Sequence, residues 1–267
     1  MSEKTLPSIN IYFDRKTESK LLFQIIRQAG FGSVLLFWDD KFHQDYRKHP
    51  DLARKADLDI YHIHAPYSTI NNLWLDNLEG RTLLENHLQY ISDCAEFEIT
   101  TMVMHLSSGD NPPPYNTLGL DRLKKIIEKA EKHNVRVALE NLRKVDYLEY
   151  VLTNITSPQC GFCFDSGHQH HRSPDVELLQ KHGSRLMALH LHDNDQTADQ
   201  HLLPFDGTID WDTTIKKIAA TGYKGAVSLE VTGYKDLSPE AFLQKAYDVA
   251  EQLKQMPDPF YIEVSDD

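Results

Sequence analysis

Apolar, β-branched runs and longer amphipathic stretches alternate along the whole chain. The runs INIYFD (9–14), SVLLFWD (33–39), DIYHIHAP (59–66), TTMVMHL (100–106), VRVALEN (135–141), GFCFDSG (161–167), LMALHLHD (186–193) and AVSLEV (226–231) have the length and composition of buried strands. Between them, TESKLLFQIIRQAG, LEGRTLLENHLQYISDCAEF, LGLDRLKKIIEKAEKHN, SPDVELLQKHG, DWDTTIKKIAATG and SPEAFLQKAYDVAEQLKQ repeat their apolar residues at helical spacing. Ser173-Pro174 and Ser238-Pro239 set an N-cap serine before a first-turn proline, while Gly30, Gly183 and Gly222 suit helix C-termini. Eight strands alternating with helices in 267 residues predict an α/β protein, a single (β/α)8 TIM barrel over 1–267 with a tail at about 257–267. No glycine-rich phosphate fingerprint follows the first strand, which argues against an open, doubly wound sheet.

In such a barrel the chemistry gathers at the C-terminal ends of the strands. The third strand ends in His64, the fourth in His105 and the fifth in Glu140. The sixth runs into Asp165 and His168, the seventh ends in His192, and the eighth holds Glu230. The loop after the seventh adds Asp199 and His201. One histidine after a strand is ordinarily structural, and one carboxylate can cap a helix. A carboxylate at the inner end of an apolar run, as at Glu140 and Glu230, is costly unless paired or metal-bound. The joint placement of all these residues on one rim predicts a metal site. His62 and His190 share the inward face one layer deeper, where His190 is expected to pack or to bond a ligand from behind. His170 and His171 are expected at a solvated helix start, and His43, His49, His87, His133 and His182 at the surface.

Charge narrows the partners. Lysine and arginine total 28 against 40 aspartates and glutamates, a formal charge of −12 that opposes a nucleic-acid partner. No apolar run is long enough for a membrane span, and MSEKTLPSIN lacks the pattern of a signal peptide. A cytoplasmic protein is expected. Its three cysteines, Cys94, Cys160 and Cys163, predict no disulfide framework, and CGFC lies in a strand rather than at a redox helix start.

The segments HAPY (64–67), LEN (139–141), DSGH (165–168), HDND (192–195), DQH (199–201) and SLEV (228–231), in this order, resemble the xylose isomerase-like TIM-barrel superfamily. That superfamily includes sugar and sugar-phosphate isomerases and epimerases as well as endonuclease IV. The resemblance to endonuclease IV implies three metals. The first would be held by His64, His105 and Glu140, and the second by Glu140, Asp165, His192 and Glu230. The third would be held by His168, Asp199 and His201. The epimerase branch implies one metal, on Glu140, Asp165, His192 and Glu230. This chain departs from the epimerase branch in DNDQTAD, which lacks the arginine found a few residues after the metal histidine there. It departs from the endonuclease branch in its loops FWDDKFHQDY, STINNLWLDN, SSGDNPPPYN and DNDQTADQHLLPFDG, which read as acidic or neutral. Tyr67 sits where that branch places a DNA-contacting tyrosine.

The expected activity is isomerisation or epimerisation of a sugar or sugar phosphate by enediolate-type proton transfer. Glu140 and Glu230 are the expected acid and base. Trp38, near the end of the second strand, offers either a wall for the sugar face or core packing. Mixed histidine and carboxylate ligands suit one to three ions of zinc or manganese, with iron or cobalt also compatible. Phosphodiester hydrolysis at three metals is the competing chemistry, and a metal-loaded barrel without turnover is the third reading.

Overall fold

The computed structural model describes residues 5–41, 45–233 and 236–256. The eight apolar runs form β1 (Ser8–Asn10), β2 (Ser33–Phe37), β3 (Asp59–His64), β4 (Thr101–Met104), β5 (Arg136–Glu140), β6 (Cys160–Asp165), β7 (Leu186–His190) and β8 (Ser228–Leu229). They pair in parallel in the order β7-β6-β5-β4-β3-β2-β1-β8. The ring closes at one bridge between Leu191 and Leu229, where Leu191 N–H donates to Ser228 O at 2.9 Å and Glu230 N–H donates to Leu191 O at 3.1 Å. This is the TIM barrel expected from the alternation. Its strands are shorter than the apolar runs, because their last residues turn into the rim.

Nine α-helices are found among the described residues: α1 (Ser19–Ala29), α2 (His49–Lys55), α3 (Leu78–Glu96), α4 (Thr117–His133), α5 (Val145–Asn154), α6 (Ser166–Arg172), α7 (Leu178–His182), α8 (Trp211–Ala220) and α9 (Pro239–Gln255). No helix among the described residues is long and apolar enough to cross a membrane. Ser238 caps α9 by accepting from Ala241 N–H at 3.2 Å, and Gly30 closes α1 in the left-handed region at φ 110°. The expected helix over SPDVELLQKHG shrinks to α7. Ser173 N–H is spent on Gln169 O at the end of α6, and Gly183, at φ −56°, enters a 3-10 turn instead of closing a helix. The helices α2, α5 and α6 were not marked by periodicity. The last of these starts because the Asp165 carboxylate accepts from His168 N–H at 2.7 Å.

Between strands and helices lies the main apolar core, and the barrel interior carries a small second layer of Val103, Ala138, Cys163 and Ala188. Cys160 packs in the outer core and Cys163 in the inner layer, on opposite faces of β6, and all three cysteines are free. At the N-terminal end of the barrel the hydroxyls of Tyr61 and Tyr223 meet.

Two histidines expected at the surface are buried instead, His49 and His87, while His133 is exposed and His182 half-buried. His43 lies outside the described residues. His87 is 2% exposed on α3, with its Nδ1–H donating to Leu83 O at 2.9 Å. Burial pushes its pKa down to about 4. Because the unfolded chain protonates first, stability should hold above about pH 6.5 and fall as pH drops towards 4. The shift corresponds to roughly 3 kcal/mol at the acid end. Urea unfolding of His87→Leu across this range should give a shallower acid decline than the parent. Parallel declines would show that His87 is not responsible.

Candidate metal centre

His64, Glu140 and Asp165 are the last residues of β3, β5 and β6, while His105 and Glu230 follow β4 and β8 by one residue and His192 follows β7 by two. Side chains alternate across a strand, so these positions share the inward face at the rim. Glu140 sits at the middle of the cluster. Its Oε2 lies 3.1 Å from His64 Nε2 and 3.2 Å from His105 Nε2, and its Oε1 lies 3.1 Å from His168 Nδ1. Burial alone would raise the Glu140 pKa, but His105, His190 and His168 outweigh it and hold the carboxyl well below the usual range. Glu230 is likewise held low, because His190 opposes the cost of burial.

Backbone carbonyls orient two of the imidazoles. Nδ1 of His64 donates to Ala65 O and Nδ1 of His201 donates to Glu230 O, each at 2.8 Å. Each Nε2 is thereby left to face carboxylates, the tautomer a metal ligand requires. His192 places Nε2 3.0 Å from Asp165 Oδ1 and stacks on His201 at 3.9 Å between ring centroids. Gly167 makes room for that imidazole, since a Cβ at 167 would lie 1.9 Å from His192 Cε1.

Asp199 links the remaining pair, 3.1 Å from His168 Nε2 through Oδ2 and 3.6 Å from His201 Nε2 through Oδ1. Burial disfavours the charged rings. The neighbouring carboxylates prevail, so His168 is raised well above its ordinary value and His201 is raised to about 9. The loop bearing Asp199 and His201 hangs on Asp193, which is fully buried. Its carboxylate accepts from the backbone N–H groups of Asn194 (2.8 Å), Phe205 (3.0 Å) and Ile209 (3.1 Å), and from Trp211 Nε1 (2.7 Å). Asp193 stands in HDND, and nothing in the spacing set it apart from its neighbours.

Beneath the rim, His62 Nε2 and His190 Nε2 are 2.9 Å apart, as expected of a deeper layer. His190 reaches further up than packing requires, with Nδ1 3.2 Å from Glu230 Oε2 and 3.5 Å from Glu140 Oε2.

A cavity of about 380 Å³ opens over the cluster. His64, His105, Glu140, His168, Asp199, His201 and Glu230 line it, with Asp165 and His192 packed behind them. Trp38 does not line it. The indole is 1% exposed, donates to Asp93 at 2.8 Å, and packs on Tyr46 and Phe97, so of its two expected roles Trp38 takes core packing and not the sugar wall. Its neighbour Phe37 points inward instead, because adjacent strand residues face opposite ways. Phe37 stacks on His64 at 4.7 Å, Tyr67 stacks on His105 at 4.3 Å, and both line the cavity. Arg15 and Arg143 line it as well, so the rim is less acidic than the loops suggested.

The donor set fits a divalent cation. Nδ1 of His168, His190 and His192 and Oδ1 of Asp199 are buried without an aligned hydrogen-bond partner. Among the described residues, ligand-type atoms converge within 4.8 Å in three groups. These are His64, Glu140 and His190; His192, His201 and Glu230; and Glu140, Asp165, His190 and Glu230. Nitrogen and carboxylate oxygen at this spacing suit first-row transition ions. His105, His168 and Asp199 fall outside these groups, so the expected sets of His64, His105 and Glu140 and of His168, Asp199 and His201 do not converge as such.

A family model for the xylose isomerase-like TIM barrel matches residues 23–254. The chain belongs to this family. Over 133 residues this family member is 38% identical to the uncharacterized protein y4fM of Sinorhizobium fredii, a match covering 47% of this chain and 43% of that one. A D-tagatose 3-epimerase-like protein superposes with a TM-score of 0.76 at 21% identity, covering 93% of this chain and 97% of the other. L-ribulose 3-epimerase gives 0.78 at 15% identity, over 94% and 96%. The IOLI protein with a zinc atom gives 0.76 at 14%, over 93% and 96%. At these identities the structural likeness is one of fold.

Proposed function

We propose that this xylose isomerase-like barrel is a metal-dependent isomerase or epimerase of a sugar or sugar phosphate, acting in the cytoplasm. One observation carries the reading: Glu140 and Glu230, buried and held ionised, enter one cavity from β5 and β8 and meet at His190. A divalent cation held by Glu140, Asp165, His192 and Glu230, with His190 beside them, would polarise adjacent substrate oxygens as a Lewis acid. The two carboxylates would do the proton chemistry. One takes the proton from a carbon next to a carbonyl. For isomerisation it returns that proton to the neighbouring carbon while the hydroxyl proton passes between the two oxygens, and for epimerisation the other carboxylate relays to the opposite face a proton drawn from His190, which the first carboxylate then restores. Phe37 and Tyr67 hold the His64 and His105 rings and shield that side of the cavity from water.

The 3-epimerases among the structural neighbours support the sugar reading, and the zinc of the IOLI protein supports zinc, while the mixed histidine and carboxylate ligands would also suit manganese, iron or cobalt. A small substrate fits the −12 charge, which opposes nucleic acid. The alignment of His168, Asp199 and His201 favours trinuclear phosphodiester hydrolysis as a second reading.

The test is metal content of protein purified without added metal, followed by turnover on ketoses, ketose phosphates, simple phosphodiesters and abasic-site duplex DNA. Sugar turnover that disappears on chelation and returns with zinc or manganese is expected. Three metal equivalents with phosphodiester cleavage would replace the proposal by the hydrolase, and bound metal without any turnover by a binding barrel.

A further inference from the structure

The polar lining of the cavity has two levels. The floor is carboxylate and imidazole, whereas one side of the rim is Ser107, Ser108 and Gly109 after β4 and Arg143 after β5. Arg15, after β1, lines the same cavity. In a chain of net charge −12, two arginines lining one acidic pocket draw a negatively charged group towards it.

The serine loop is held in place from outside. Asn71 Oδ1 accepts from Ser108 N–H at 2.8 Å, and Asn71 Nδ2 donates to Ser108 O at 2.9 Å. Gly109 follows at φ +77° with no atom within 4 Å of where a Cβ would stand, so a ligand can approach its backbone closely. Arg143 belongs to the same patch, because its Nε lies 3.3 Å from Asp110 Oδ1. Arg172 Nη1 reaches that same oxygen at 3.8 Å, and Asp110 is 74% exposed. A solvated carboxylate shared by two guanidinium groups contributes little and is readily exchanged for a dianion.

We infer that the rim formed by Ser107, Ser108, Gly109 and Arg143 binds a phosphate monoester, making the substrate a sugar phosphate rather than a free sugar. The inference rests on the isomerase reading for the sugar half of the substrate. The donors outnumber what a carboxylate can accept: a planar guanidinium fork, two hydroxyls and backbone at Gly109 match the three free oxygens of a phosphate ester. The cavity of about 380 Å³ has the size of a small-molecule site. With the phosphate at the rim, the carbons that exchange a proton lie below it, towards Glu140 and Glu230.

The experiment compares kcat/KM for matched ketoses, ketose phosphates and sugar acids in the metal-loaded parent and in Arg143→Met, an exposed position whose change leaves the core intact. The parent should prefer the phosphorylated sugar, and Arg143→Met should shrink that preference roughly ten- to a hundredfold, as for loss of a charge-assisted hydrogen bond. Arg143→Lys should recover part of it. Equal kcat/KM for ketose and ketose phosphate, a preference for the sugar acid, or a preference unchanged in Arg143→Met would overturn the phosphate site and leave the isomerase reading standing. Should no sugar turn over, calorimetry of inorganic phosphate with metal-free protein still decides. Weaker binding in Arg143→Met upholds the site, and equal binding overturns it.

Discussion

Glu230→Gln should lower sugar turnover by about a thousandfold, within the range lost with a positioned general base, while the barrel stays folded. The amide keeps the shape of the side chain but removes the proton acceptor and the charge facing His190 Nδ1 at 3.2 Å. His201→Ala provides the contrast. By sequence this histidine belonged to a third metal alone, yet it stacks on His192 and groups with His192 and Glu230. A one-metal isomerase should therefore lose on the order of tenfold in His201→Ala, as when a supporting ligand partner is removed. A trinuclear hydrolase should lose nearly as much as in Glu230→Gln. Turnover and metal content of both variants settle the matter, and phosphodiester cleavage abolished by both would sink the isomerase.

The largest effect on stability is expected at Asp193, which has no place in the chemistry. Asp193→Ala would orphan three backbone N–H groups and the Trp211 indole at once. Each buried donor left unpaired costs about 1–3 kcal/mol, and partial relaxation of the loop leaves a net loss of roughly 4 kcal/mol. In a chain of this length that lowers the melting temperature by about 10 °C. Metal uptake should fall too, because Asp199 and His201 ride on the loop that Asp193 anchors. Asp193→Asn keeps one acceptor oxygen and should lose less. A melting curve for Asp193→Ala that overlays the parent would remove Asp193 from this role.

The rim residues were legible from sequence for a topological reason. In a closed parallel barrel every strand delivers its last inward residue to the same end, so His64, Glu140, Asp165 and Glu230 converge whatever the packing detail. Phase and depth were harder to read. Trp38 and Phe37 are neighbours in an apolar run, and only the pleat decides which of them faces the cavity; a register irregularity at Val34 and Leu35 shifts β2 against β3 just upstream. Strand alternation puts His190 one layer down, but its reach to both glutamates depends on ring orientation, set by His62 across the barrel. Asp193 owes its place to buried backbone partners that no linear spacing reveals, whereas His87 falls on the buried stripe of α3 with Leu83, Leu84 and Ile91, which helical spacing does mark. Arg143 gave no periodic signal, since it lies in a loop.

The bridge that closes the ring has a mechanical meaning. Among the described residues the ladder between β7 and β8 is the single bridge of Leu191 and Leu229, backed by the bonds of His201 to Glu230 O and of Thr232 N–H to His201 O, so this is the thinnest seam of the ring. His192 and Glu230 stand beside that bridge, one on each lip. A cation gripped by both would act as a clasp, so that losing it and loosening the barrel would become one event rather than two.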